Sequence, residues 1–116
     1  MEHGIKYDIL NKYFGYSSFR NGQEEIIDSI MDGRDVMGIM PTGAGKSVCY
    51  QVPALAASGL TIVVSPLISL MKDQVNALAQ MGVPAAYINS SLGRDEYIYT
   101  MRAAAKGRYR ILYVAP

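Results

Sequence analysis

A single cysteine in 116 residues leaves no internal disulfide to build with. Cys49 fits a reducing cytosol, and its plainest role is that of a small apolar residue in a helix. No apolar run approaches the roughly 18 residues that a membrane span needs. The opening residues, MEHGIKYDIL, lack a basic stretch followed by an apolar core, so no secretory leader is expected. Excess charge is also scarce. The formal net charge is +1, which does not advertise a nucleic-acid partner for the chain as a whole. What is present is a folding composition, 50% hydrophobic and 18% charged. The length suits one small domain that buries roughly two-thirds of its unfolded surface.

The charge is unevenly spread. Residues 1–35 sum to −3 and residues 36–116 to +4. Arg102, Lys106, Arg108 and Arg110 form the one basic concentration. It reads equally as a solvated helix end and as a phosphate-binding patch.

Helical spacing predicts a short helix over 5–14, ended by Gly15, and a second from Gln23 to Met31 with Ile26, Ile27 and Ile30 as its stripe. DVMGIM (35–40) reads as a buried parallel strand. KSVCYQVPALAAS reads as a helix that Pro53 should kink or break. LTIVVS (60–65), AAYIN (85–89) and RILYVAP (110–116) read as three further strands. Helices are expected over 67–81, with Leu67, Met71, Val75 and Leu78 on one face, and over 94–106. Pro66 suits the first turn of the former. Strands alternating with helices imply an α/β fold with a parallel sheet and flanking helices. The chain stops directly after an apolar strand, where α/β sheets carry functional residues, so we expect a truncated piece of a longer protein.

The stretch MPTGAGKS (40–47) lies between the first predicted strand and the following helix. The strict phosphate-loop pattern is G-x-x-x-x-G-K-[ST]. Gly45, Lys46 and Ser47 satisfy it, and Met40 stands where the first glycine would be. Backbone N–H groups of Thr42, Gly43, Ala44 and Gly45 would point at phosphates at a helix N-terminus. Gly43 and Gly45 permit the close approach. Lys46 can reach the β/γ-phosphates and the Ser47 hydroxyl can ligate Mg²⁺.

With Met at its first position, MPTGAGKS resembles motif I of superfamily 2 helicases, and specifically of the RecQ family. Three further stretches carry the resemblance, which covers residues from about 9 to 116. FGYSSFRNGQEEII (14–27) is similar to the family's adenine-reading motif. The resemblance implies that Tyr16 stacks on the base and that Arg20 and Gln23 hydrogen-bond it. A glutamine amide can both donate to and accept from an adenine edge. Asn21 stands where the family usually has proline. VVSPLISLMKDQV (63–75) is similar to motif Ia, which implies DNA-backbone contacts from Ser65, Pro66 and Lys72. Ser65 and the N-terminal amides of the next helix would form an anion site, while Leu67, Leu70 and Met71 are expected in the core. YINSSLGRDE and YRILYVAP resemble the approach to motif Ib, which implies that Asn89 and Ser90 contact a DNA phosphate.

Taken together the resemblance implies a partial, truncated RecA-like P-loop NTPase domain. The parent would be a 3′–5′ ATP-dependent DNA helicase of recombination and repair, using ATP and Mg²⁺ on single-stranded or forked DNA. It would be cytoplasmic and nucleoid-associated, of compact bacterial type. The acidic Asp-Glu-x-His box, the second lobe and its arginine finger fall beyond residue 116 in such proteins. The chain alone is therefore expected to be inactive in hydrolysis, and an exposed sheet surface could make it self-associate. Two alternatives stay open: a P-loop small-molecule kinase, and a non-catalytic nucleotide- or partner-binding module.

Overall fold

The computed structural model describes residues 2–40 and 45–116. Pro41, Thr42, Gly43 and Ala44 of the glycine-rich loop thus lie outside the described residues. The chain forms two compact units, Met1–Ser58 and Gly59–Pro116.

The first unit is built on helices. α1 (Glu2–Ile9) runs into one π-helical turn, Leu10–Phe14. Gly15 stops it in the left-handed region at φ 76° and donates its N–H to the Asn11 carbonyl, a stop that a side chain would strain. α2 (Gln23–Met31) has the bounds its apolar spacing implies. Glu24 and Glu25 in its first turn complement the helix dipole. α3 (Lys46–Ala56) continues through Pro53, so the proline does not break it. Proline removes one backbone donor, but Val52, Pro53 and Ala54 are all buried, and the Pro53 carbonyl still accepts from the Ala57 N–H. Burial of that turn offsets the lost bond. Ile9, Ile27 and Val52 form the core where α1, α2 and α3 meet, with Phe14, Phe19, Val48 and Leu55 packed around them. Side chains buried in this way stabilise by about 1.5–3 kcal/mol each.

The run 35–40 does not form the buried strand its apolar character suggests. It has no regular secondary structure, and Met37 and Ile39 are 88% and 90% exposed. A parallel strand exists through the ladder on its neighbours. Among the described residues no strand pairs with this run. Two contacts hold its course. Gly38 lies so near Ile26 of α2 that a Cβ there would overlap the Ile26 side chain. The Cys49 thiol donates to the Met40 sulfur at 3.6 Å.

The second unit is a parallel three-stranded sheet with two helices. β1 (Thr61–Val64), β2 (Ala85–Ile88) and β3 (Ile111–Val114) lie in the order β1-β3-β2. The register sets Thr61 and Ala85 on either side of Ile111. Ile111, Leu112 and Tyr113 are buried consecutively, so both faces of the central strand are covered. α4 (Ile68–Gln80) contributes Met71 and Leu78 to this core, and α5 (Arg94–Ala105) contributes Ala103. Leu67 and Leu70 are exposed, against the expectation that they are core. The helix starts one residue after Leu67, and its buried stripe begins only at Met71. Ile62 and Val64 leave one face of edge strand β1 open.

Candidate nucleotide-binding site

Gln23, the first residue of α2, is 4% exposed and ties two loops together. Its Oε1 accepts from the Arg20 N–H at 2.8 Å, and its Nε2 donates to the Gly45 carbonyl at 3.0 Å. The turn that presents it is made by Gly22 at φ 86° and by the Gln23 N–H bonding the Arg20 carbonyl at 3.1 Å. The sequence therefore places a long amide where it reaches the last glycine of the phosphate loop. Gly45 itself caps α3 at φ 80°. A Cβ there would run into the Gln23 amide nitrogen, with the Arg20 methylene close behind. Glycine is required at this position twice over, by conformation and by space.

No side chain caps α3. The N–H groups of its first turn carry the positive end of an 11-residue dipole and are left for an anion. Lys46 is exposed and Ser47 half-buried at the first two helical positions. This arrangement fits a nucleotide phosphate. Among the described residues no three His, Cys, Asp or Glu side chains cluster as a metal site. A Mg²⁺ ion would rest on the Ser47 hydroxyl and on the phosphates themselves. Tyr16, beyond the Gly15 stop, has an exposed ring, and Arg20 is exposed as well. The structure thus brings Arg20, Gln23 and Gly45 together and leaves Tyr16 accessible nearby in the chain. The parts of the loop at Thr42, Gly43 and Ala44 lie outside the described residues.

The sequence reading missed what holds this site. Lys6 of α1 is 1% exposed; its Nζ lies 2.8 Å from Glu24 Oε2 and bonds the Asp28 carboxylate. Burial pulls the Lys6 ammonium pKa down, but the bonds and charges of Asp28 and Glu24 outweigh this and hold it above the ordinary lysine value. Tyr7 donates to Glu24 at 2.5 Å, and its ring lies 5.2 Å from that of Phe19. The Glu24 bond raises the Tyr7 pKa, since the phenol is held as a donor. The first helix thereby grips both ends of the turn that carries Arg20 and Gln23. The available signal was Glu24 and Asp28, four apart on one helix face, with a lysine in the preceding helix.

In the second unit, Ser65 and Asn89 follow the carboxyl ends of β1 and β2 and flank Ala115. The Ser65 N–H bonds the Val114 carbonyl, and the Ala115 N–H bonds the Ile88 carbonyl. Ser65 Oγ accepts from the Leu67 N–H at 3.1 Å, and the Ile68 N–H is taken by the Pro66 carbonyl. Pro66 therefore lies before α4 and not in its first turn. The amides nearest Ser65 are engaged in this turn. The Asn89 amide nitrogen donates to the Met71 sulfur at 3.4 Å, while its oxygen accepts from the Ser91 N–H at 2.8 Å. Asn89 thus fastens the end of β2 to α4. Ser90 and Lys72 are exposed.

An uncapped helix opening on Lys46 and Ser47, with the buried Gln23 amide on the Gly45 carbonyl just before it, suits a P-loop nucleotide-binding protein of helicase type. The family described as DEAD/DEAH box helicase matches residues 20–116, and the chain belongs to it. The chain is 52% identical over 109 residues to the ATP-dependent DNA helicase RecQ of Pasteurella multocida, covering 94% of this chain and 17% of that protein. It is 50% identical to the RecQ helicase of Bacillus subtilis, covering 93% and 18%. It is 47% identical to the ATP-dependent DNA helicase Q-like 2 of Arabidopsis thaliana, covering 94% and 16%. The chain thus spans under a fifth of the length of these relatives. A crystal structure described as a hypothetical ATP-dependent RNA helicase from Sulfolobus tokodaii superposes with a TM-score of 0.73. At 21% identity, over 96% of this chain and 33% of that one, it attests the shared α/β fold.

Proposed function

We propose that this chain is the nucleotide-binding part of a RecQ-type, ATP-dependent 3′–5′ DNA helicase acting in recombination and repair. The observation that carries the reading is the Gln23 bridge between the Arg20 amide and the Gly45 carbonyl. It makes the adenine-reading turn and the phosphate loop one mechanical piece. Tyr16 stacks on adenine and Arg20 bonds its edge, and Gln23 meets that edge by exchanging one of the bonds that hold it to Arg20 and Gly45. The α3 amides, Thr42, Gly43, Ala44 and Lys46 hold the phosphates, and Ser47 orients Mg²⁺ through the nucleotide. Ser65, Pro66, Lys72, Asn89 and Ser90 form part of the track for single-stranded or forked DNA. In the parent enzyme, ATP would draw two lobes together and hydrolysis would release them, so that the track grips and slips in turn. Such an enzyme would work in the cytoplasm at the nucleoid. Among the described residues no helix is long and apolar enough to cross a membrane. The open face at Ile62 and Val64 would let this chain self-associate.

The test is Mg²⁺-nucleotide binding to the 116-residue chain, ATP against GTP, beside Lys46→Ala and Gln23→Ala, with circular dichroism on each sample. ATP preferred over GTP, with Gln23→Ala erasing the preference and Lys46→Ala abolishing binding, supports the reading. Equal affinity of folded protein for both nucleotides refutes the adenine role of Gln23. Hydrolysis by the chain alone should be negligible, because no arginine finger or water-positioning group can be assigned in it. Robust DNA-stimulated turnover would refute that expectation.

A further inference from the structure

Along α5, from its first turn to the turn that follows it, runs a groove of about 400 Å³ whose basic end lies just before β3 begins. Asp95, Tyr99, Arg102 and Lys106 follow one another at spacings of three and four residues, so they share one face of the helix. Arg108 joins them from the turn. Arg102, Lys106 and Arg108 are all exposed, and among the described residues no carboxylate pairs with any of them. Arg110, their neighbour in sequence, does not line the groove, and its N–H is bonded to the Pro84 carbonyl. Tyr99 is 63% exposed beside these cations, and the half-buried Tyr109 lies near enough to feel it: burial, then the Tyr99 phenol, raises the Tyr109 pKa.

Three unpaired cations on an exposed surface repel one another and stabilise nothing by themselves. Arg102 and Lys106, four residues apart, have Cβ atoms about 5–6 Å from each other, a spacing suited to successive phosphates of one strand, and Arg108 extends the row from the turn. An exposed tyrosine among them supplies a face on which a base can stack. Cations interleaved with an aromatic platform are what single-stranded nucleic acid binds without regard to sequence. An acidic protein would use the cations and leave Tyr99 idle.

We propose that this groove is a second single-stranded nucleic-acid site, separate from the track at the carboxyl ends of the strands. Lys106 and Arg108 lie toward the start of β3, and four-residue strands rising roughly 3.3 Å per residue put roughly 13 Å of sheet between that end and the track. Arg102, Lys106 and Arg108 hold the sugar-phosphate backbone and Tyr99 stacks on a base. In a helicase this would hold strand already passed, or not yet reached, away from the track. The proposal rests on the reading of the chain as a protein that acts on DNA.

The test is fluorescence anisotropy of a labelled oligothymidylate with the 116-residue chain across a salt series. The variants are Arg102→Gln/Lys106→Gln/Arg108→Gln together, Tyr99→Ala, and Lys72→Gln in the track. All five positions are exposed, and circular dichroism checks folding. The triple variant should weaken binding on the order of tenfold or more and lower the salt slope by about 2, from roughly 0.7 per lost phosphate contact. Tyr99→Ala should weaken it about fivefold or more without changing the slope. If the triple variant binds like the unaltered chain while Lys72→Gln binds less well, the groove is refuted and the DNA reading stands. If the unaltered chain binds no oligonucleotide at low salt, both fail. If a glutamate polymer competes as well as the oligonucleotide and Tyr99→Ala changes nothing, the groove serves acidic partners in general and the proposal is overturned.

Discussion

Replacing Gln23 by glutamate tests the bridge directly, because it changes one atom's chemistry and almost no volume. The amide nitrogen that donates to the Gly45 carbonyl at 3.0 Å becomes an oxygen, and two acceptors then face each other. The bond itself contributes about 1 kcal/mol net, and an abandoned buried carbonyl costs about 1–3 kcal/mol more. The Arg20 N–H can still donate to the other oxygen, so that bond survives. The expected loss at pH 7 is about 2–4 kcal/mol against the roughly 5–15 kcal/mol by which domains are stable. With a urea slope of about 2 kcal/mol per molar, the midpoint should fall by about 1–2 M. Circular dichroism is the readout, since the chain has no tryptophan. The loss should depend on pH. Burial raises the folded-state pKa of the new carboxyl above its unfolded value of about 4.3. The protonated form donates to Gly45 again, so the penalty is small at and below pH 4. It grows as pH rises through the folded pKa and is then constant. An unchanged midpoint at pH 7, or one equally lowered at pH 4 and pH 7.5, would refute the bridge as drawn.

Other perturbations reach the same assembly from different sides. Gly45→Ala combines a strained φ of 80° with overlap onto Gln23, and should weaken nucleotide binding at least tenfold, a change of about 1.4 kcal/mol, as read by calorimetric titration; near-native affinity would mean the loop has room to spare. Lys6→Met removes the cation shared by Glu24 and Asp28 while keeping its length, and should cost about 1–2 kcal/mol because both carboxylates are part-exposed. Its pH signature follows from the raised pKa of Lys6: the stabilisation is whole below about pH 10.4 and is lost as pH rises through the folded value. Urea titrations at pH 7 and pH 11 should therefore separate the two proteins more widely at the first pH than at the second. Burial raises the Cys49 thiol pKa, so alkylation at pH 7 should be slow in the folded chain and accelerate only with unfolding; rapid labelling of native protein would contradict its burial.

The elements that carry their own periodicity were legible. α2, α4 and α5 fall within a residue or two of their stripes, and the three strands of the sheet lie inside the apolar runs that announced them. The elements that depend on partners were not. The run 35–40 has a strand's composition, but a strand is a relation between segments, and the described residues supply no neighbour for it. Pro53 misled in the opposite direction, because local rules price its missing donor without the core that surrounds it. At the site, the glycine-rich pattern pointed to Gly45, Lys46 and Ser47, and the family resemblance pointed to Gln23. They did not disclose that Gln23 spends its amide on the loop's own carbonyl, or that Asn89 faces a methionine sulfur. Those facts come from which backbone atoms the turns bring within reach, and no residue count contains them.

The grip of Lys6 on α2 has a practical corollary for anyone handling this protein. The ammonium at position 6 stands forty residues upstream of the phosphate-loop lysine, yet the turn bearing Arg20 and Gln23 leans on it. Trimming the first handful of residues, or fusing a bulky affinity tag against them, would loosen the turn of Arg20 and Gln23 while leaving MPTGAGKS untouched. A preparation altered in this way would pass inspection by its motif and fail at the bench.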